Sequence, residues 1–270
     1  MRYRRFGFAG RKSRRRGMAM FRFVATLEDI VLGRGCALCG DPLFRRRTRA
    51  SQVCRACTAA MYRSSLAAAV SRCSVCGRPL LREQGTCTSC RKLEQTPPFD
   101  SHVAALEYRA GGEELVAAFK MRRNRAVVRL AASLLLQSTI DGGHTPARPV
   151  RFLSPDEPVC VPVPPGSRSA RRRDFQPVDL LAREVARMRN LPSRRLLTRV
   201  GKRLDQKKLG REERSKNVAG KFVYQGKPPV PPVVFLIDDV YTTGATVSEC
   251  ARILKEAGVR EVHVRTLAMD

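Results

Sequence analysis

Tryptophan is absent from this 270-residue chain, and aromatic residues make up only 6% of it. Proteins that grip single-stranded nucleic acid by stacking bases on rings need more than that, so contacts to a polyanion backbone are the expected mode. Acidic residues are also scarce: 24 Asp and Glu stand against 52 Lys and Arg, a formal net charge of +28. Such a balance favours polyanionic partners, either nucleic acid or phosphorylated small molecules, with a solvated basic surface as the plain alternative. Uninterrupted apolar runs stay well short of the roughly 18 residues of a spanning helix, so no transmembrane segment is expected. The opening MRYRRFGFAGRKSRRRGMAMF is basic but lacks the apolar core of roughly seven or more residues that a secretory signal requires. Met18 and Met20 are alternative starts, and residues 1–30 are expected to be a basic arm without a fold of its own.

Cysteine is plentiful, and its spacing carries more than its number. Eight of the ten cysteines form four C-x-x-C pairs, Cys36/Cys39, Cys54/Cys57, Cys73/Cys76 and Cys87/Cys90. Two intervening residues let a tight turn aim both sulfurs at one tetrahedral ion, and two turns complete a four-thiolate zinc site. Gly40 and Gly77 follow the first pair of each set, where a residue free to take positive φ eases the turn. GCALCGDPLFRRRTRASQVCRAC and RCSVCGRPLLREQGTCTSC repeat one unit, so residues 31–95 are expected to form a double zinc ribbon. Short loops favour sequential pairing, with a crossed arrangement and a redox role as alternatives. Closed all-thiolate sites leave no open coordination position and are expected to be structural. Cys160, in the apolar VCVPV run, and Cys250, on one face with Val247, Ala251, Leu254 and Ala257, are expected to be core thiols.

From about Phe99 apolar strands alternate with amphipathic helices, the pattern of an α/β fold with a mostly parallel sheet and flanking helices. Strands are expected at HVAALEY, VCVPVP, LLTRV, KFVY, VVFLID and VREVHVRTLA; one or two helices fall between Gly111 and Ile140. Further helices are expected at RDFQPVDLLAREVARMRN and at SECARILKEA, the latter closed by Gly258. Ligands of such sheets bind at the carboxyl ends of the strands, and VVFLIDDVYTTGAT lies at one. A turn running into a helix N-terminus presents unpaired N–H groups to a phosphate. Gly244 permits close approach, and Thr242, Thr243 and Thr246 add hydroxyls. Asp238 and Asp239 would repel a bare phosphate, but they suit a ligand that also carries sugar hydroxyls or magnesium. A buried strand turning into a helix explains one Asp there, not both together with TTGAT.

LIDDVYTTGAT resembles the PRPP-binding motif of type I phosphoribosyltransferases. Residues 30–270 resemble the ComF family, bacterial proteins with an N-terminal zinc ribbon and a phosphoribosyltransferase domain, here 96–270. CALCG, CSVCG, the VPVP strand and the spaced Gln206, Arg214, Asn217 and Phe222 carry the resemblance. It implies that Asp238 and Asp239 bind the ribose 2′ and 3′ hydroxyls, and that Thr242, Thr243, Gly244, Ala245 and Thr246 hold the 5′-phosphate. The turn from Pro164 through Arg168 would face the pyrophosphate, and Lys207 and Arg214, with Lys208 and Arg211, belong to a basic loop that covers it. One departure stands out. Where the family has Arg-Gly-Phe-Asn, this chain has Arg173, Asp174, Phe175 and Gln176.

Magnesium with PRPP and two zinc ions are the implied cofactors. Some family members serve single-stranded DNA uptake, which makes DNA and competence proteins the implied partners, in the cytoplasm where thiolates stay reduced. Nucleobase salvage, and PRPP sensing by a nucleic-acid-binding adaptor without turnover, are the alternatives. Tyr108 and Phe119 are the aromatic candidates for an acceptor platform in residues 100–150. The basic stretch 163–227, with nineteen Lys and Arg against six acids, is the candidate DNA-binding region. The cysteine repeat predicts two zinc ions per chain, measured by elemental analysis of freshly reduced protein. Cys36→Ser and Cys87→Ser are each expected to remove one, and a wild-type value of zero would overturn the assignment.

Overall fold

The computed structural model describes residues 35–43, 52–66, 71–80, 84–121, 124–140, 158–166, 175–200 and 220–270. In the cysteine-rich part, each repeat ends in a short helix entered from a cysteine. Helix α1 spans Arg55–Arg63 with Cys54 at its N-cap, and α2 spans Thr88–Arg91 with Cys87 at its N-cap. The two capping residues have nearly the same backbone, φ −69° and ψ 158° for Cys54, φ −70° and ψ 158° for Cys87. The repeated sequence is thus a repeated conformation.

The remainder alternates as the apolar periodicity predicts. Strand β1 covers Ser101–Glu107, followed by an irregular turn over Tyr108–Gly112 and helix α3 over Glu113–Met121. Helix α4, Arg125–Ile140, is separate because Asn124 caps it: its Oδ1 accepts from the Ala126 N–H at 2.9 Å. Strand β2, Val159–Pro162, leads to α5, Pro177–Arg189, which starts at the proline and stops at Asn190 in the left-handed region. Strands β3, Leu197–Arg199, and β4, Phe222–Tyr224, pair antiparallel as a separate ribbon. Strand β5, Val233–Tyr241, precedes α6, Ala245–Glu256, and β6, Glu261–Met269, ends the described chain. Gly258 takes φ +102° just past α6, as the helix stop requires.

Strands β1, β6, β5 and β2 lie side by side in that order, every pair parallel. Parallel strands need both faces covered, and the side chains divide accordingly. On one face Cys160, Ile237 and Leu267 join Phe119, Leu134 and Leu181 from α3, α4 and α5. On the other, Val159, Val161, Val234 and Leu236 join Val247, Cys250, Ala251 and Leu254 of α6, with Phe222 of the ribbon. The expected core roles of Cys160 and Cys250 hold, both being fully buried.

The cysteine repeats belong to these same cores, one on each face. Cys36, Ala37 and Val53 pack with the α3–α5 side, whereas Cys73, Cys76, Cys87 and Cys90 pack with the α6 side. Strand β5 departs from expectation at its end. VVFLID was expected to stop at the carboxylates, but pairing with β6 continues through Tyr241↔Met269, so Asp238 and Asp239 sit inside the last turn-ward residues of the strand. Partners on β6 are available as far as Tyr241, three positions beyond Asp238, and the backbone takes them rather than leave polar groups unpaired.

Candidate functional site

Each cysteine repeat closes on itself. The sulfurs of Cys36, Cys39, Cys54 and Cys57 lie within 4.8 Å of one another, and so do those of Cys73, Cys76, Cys87 and Cys90. The pairing is sequential, and all ten cysteines are free thiols. Four sulfurs about 2.3 Å from one ion stand about 3.8 Å apart at the corners of a tetrahedron. Cys39 and Cys54 are separated by 3.8 Å, Cys76 and Cys87 by 3.7 Å. Backbone N–H groups point at the sulfurs, Cys54 to Cys36 Sγ at 3.2 Å and Cys87 to Cys73 Sγ at 3.3 Å. Burial opposes ionisation of Cys36 and Cys73, but the backbone donors outweigh it and bring each thiol down to about 7. Burial holds Cys39 and Cys76 up at about 11. Each group therefore holds one thiol that ionises readily and others that need a cation to do so, which fits a tetrahedral zinc ion.

The carboxylates lie at the carboxyl end of the parallel sheet, where the topology places ligands. They answer to different neighbours. Asp238 Oδ1 accepts the Asp239 N–H at 2.8 Å, and its carboxyl is pushed up to about 8 by burial and by the charge of Asp239; the Asp239 N–H and Lys120 act the other way. Its charge is also felt by Cys250 of α6. Asp239 instead pairs with Lys120 of α3, Nζ to Oδ2 2.9 Å, both side chains mostly covered.

Beyond the strand, Thr242 is exposed, Thr243, Ala245 and Thr246 are half-buried and Gly244 is buried. Gly244 is the N-cap of α6 at φ +78°, and lacks a side chain to close the helix start. Thr243 Oγ1 accepts the Ala245 N–H at 3.4 Å. Gly244 also has no room for a Cβ, which would stand 2.4 Å from Tyr241 Oη. Tyr241 stacks on His102 of β1, ring centroids 4.2 Å apart.

Arg168, Lys207 and Arg214 lie outside the described residues, together with Lys208, Arg211, Gln206, Asn217, Arg173 and Asp174. Pro164 and Gln176 are described and line a cavity of about 320 Å³ with Arg195, Thr198, Arg199 and Gln225. The Val163 N–H bonds the Ile237 carbonyl at 2.9 Å, so this cavity opens beside the strand that bears the carboxylates. Arg195 is held by Asp179 at 2.7 Å, and Arg199 lies over the Phe222 ring at 5.1 Å.

Sequence patterning missed Lys120, Arg195 and Arg199. For Lys120 a signal existed: it is the one cation in the apolar run LVAAFKM, on a helix that must face the sheet. For the arginines there was none, because they come from a short ribbon and its approach. Phe119 is fully buried in the core, which removes it as an acceptor platform; Tyr108 is half-buried.

Fold and site together define an α/β protein with a parallel sheet, an acidic pair and a glycine turn at the carboxyl end of its strands, and two four-cysteine clusters braced against its faces. The chain is 30% identical over 231 residues to DNA utilization protein YhgH of Salmonella typhi, covering 85% of this chain and 94% of the relative. It is 30% identical over 200 residues to competence protein F of Haemophilus influenzae, 73% of this chain and 83% of that one. Over 46 residues it is 39% identical to competence protein ComFC of Streptococcus pneumoniae, 17% of this chain and 21% of the relative. No family model matches the chain. On those likenesses and the two cysteine clusters, the chain belongs to the ComF family. Among the described residues, no helix is long and apolar enough to cross a membrane.

The position of Asp238 sets a pH dependence. Its folded pKa of about 8 lies above the ordinary 3.8, so the folded state keeps a proton that the unfolded chain has lost. Its contribution to stability is therefore greatest below the unfolded value and is lost as pH rises towards about 8. Denaturant melts between those limits are expected to show a smaller loss in Asp238→Asn than in wild type. Parallel curves would contradict the assignment.

Proposed function

We propose that the chain binds magnesium PRPP at Asp238–Thr246, keeps one structural zinc ion in each cysteine cluster, and serves the uptake or processing of single-stranded DNA. The observation that carries the ligand is the acidic pair set directly before a glycine-capped helix start at the carboxyl end of a parallel sheet. Phosphate suits the amides of the turn, and ribose hydroxyls suit acceptors beside it. Asp238 and Asp239 accept from the diol, while Lys120 shares Asp239 with it and keeps the pair from carrying two uncompensated charges. Magnesium, when bound, supplies charge neutralisation at the pyrophosphate. Pro164, Gln176, Arg195 and Arg199 frame the neighbouring cavity on that side, with Arg168, Lys207 and Arg214 completing the set. The division 1–30, 31–95 and 96–270 into arm, double ribbon and phosphoribosyltransferase-like domain belongs to the same proposal, as does a cytoplasmic location.

Transfer would form a bond from an acceptor to the ribose C1 as the bond to pyrophosphate breaks and pyrophosphate leaves. The full burial of Phe119 favours a second reading, PRPP sensing without turnover, because it removes one of the two aromatic candidates for a base platform. Pyrophosphate release in a screen of nucleobases and single-stranded DNA separates the two. The names of the relatives, competence and DNA utilization proteins, support the DNA role.

Calorimetry of the variant carrying both Asp238→Asn and Asp239→Asn tests the ligand. The hydroxyl contact to charged Asp239 contributes about 1.5–3 kcal/mol and the one to largely neutral Asp238 about 0.5–1.5 kcal/mol, so PRPP binding is expected to weaken by about 2–4.5 kcal/mol while the fold survives. Unchanged affinity in the folded variant would reduce the motif to a turn. For DNA, affinity for single strands is expected to fall steeply as salt rises, with charge reversal at Arg171 and Arg172 weakening all sequences alike. Salt-independent binding would contradict that role.

A further inference from the structure

The two cysteine clusters differ in what they touch. The first packs on the α3–α5 face of the sheet. The second is bonded to the start of β1 and to Asp270, just past β6, through three neighbouring residues. The Cys76 carbonyl lies 2.6 Å from His102 Nδ1. Gly77 packs so closely that a Cβ there would come within 2.1 Å of the His102 carbonyl oxygen. Arg78 Nη2 donates to the Asp270 carbonyl at 2.5 Å, and the Asp270 N–H bonds the Tyr241 carbonyl at 3.0 Å.

His102 is where these contacts converge. A carbonyl can only accept, so Nδ1 carries the proton and donates to Cys76. On the other side Nε2 lies 2.9 Å from Thr266 Oγ1; in the neutral ring this nitrogen accepts from the threonine hydroxyl. Held from both edges, the imidazole stacks its face on Tyr241 with the planes 20° apart. The Tyr241 ring in turn occupies the space that any side chain at position 244 would need. One continuous set of contacts therefore runs from a cysteine of the second cluster, through two rings, to the N-cap of α6.

We infer that His102 and Tyr241 are positioning residues that tie the second cysteine cluster to the turn at residues 242–246, so that metal in this cluster, and not in the first, sets the turn's shape and ligand affinity. The consequence for PRPP rests on the ligand proposed above, whereas the mechanical link does not. With metal present, Cys76 is held and its carbonyl stays aimed at His102. With metal lost, the knuckle loosens, the buried N–H loses its acceptor, and the imidazole on which the Tyr241 ring stacks is no longer fixed at that edge. By linkage, a ligand that tightens the turn must also tighten metal in the second cluster.

The experiment uses the full zinc-loaded chain and three variants. Cys87→Ser opens the second cluster, Cys54→Ser opens the first, and His102→Phe leaves both clusters intact while removing the two ring nitrogens. Metal content, hydrogen exchange of amides 241–248 and PRPP affinity are measured for each. His102→Phe is expected to retain two zinc ions per chain, yet to exchange the turn amides about tenfold faster and to bind PRPP about tenfold more weakly, a change of about 1.4 kcal/mol. Cys54→Ser is expected to leave turn exchange at the wild-type rate, and Cys87→Ser, if it folds, to raise it.

Cobalt(II) loaded at one equivalent into Cys54→Ser, where only the second cluster can hold it with four thiolates, supplies a spectroscopic readout that simple destabilisation would not move. PRPP is expected to shift its absorption bands, and adding His102→Phe to abolish the shift. Wild-type exchange in His102→Phe, or equal loosening by Cys54→Ser and His102→Phe, would overturn the inference. Failure of wild type to bind PRPP would overturn the ligand proposal alone, since the exchange comparison still decides the link.

Discussion

Parallel pairing of β5 with β6 on one side and β2 on the other is the constraint on which the rest depends. A strand hydrogen-bonded along both edges has only its two faces left to cover, and water cannot complete either one. Helices α3 to α5 supply one cover, and α6 with the ribbon supplies the other. A chain with little aromatic material has small side chains for this purpose, and the cysteine clusters extend both covers beyond the reach of the helices. Metal in those clusters would therefore support cores that the sheet shares, and not only the loops that hold it.

The same pairing decides what happens at the strand ends. Continuing the β5 ladder to Tyr241 turns successive side chains to opposite faces, which separates the adjacent carboxylates. Asp238 meets the α6 side and is kept largely neutral by burial; Asp239 meets α3 and is neutralised by Lys120. Two acids can then occupy one site without the repulsion that full ionisation would bring. Buried histidine follows the same economy: burial, reinforced by Arg265 and Arg72, pushes His102 down to about 3, so it enters the core as a hydrogen-bonding ring and not as a charge.

Arg265 is a less balanced case. It is buried on β6, donates to Ser101 Oγ at 3.1 Å and to the Val264 carbonyl at 2.8 Å, and lies over the Phe235 ring. Burial brings its pKa down to about 10, and its Nε has no hydrogen-bond partner. A guanidinium with no carboxylate partner among the described residues raises the local potential beside His102, which adds a reason for that ring to stay neutral.

The order of strands and helices, the sequential grouping of the cysteines and the core roles of Cys160 and Cys250 were determined by the sequence alone. They follow from local rules: the two-residue period of a strand, the helical spacing of apolar positions and the reach of a C-x-x-C turn. The last three residues of β5 were not legible, since whether DVY extends the strand depends on β6 offering partners. Lys120 stood out in sequence as a cation in an apolar run, but its partner lies 119 positions away at Asp239. His102 looked like any polar residue at a strand start. Only tertiary structure brought it against Cys76, Thr266 and Tyr241, because contacts between strand ends and a distant knuckle are set by the stacking of layers and leave no periodic mark along the chain.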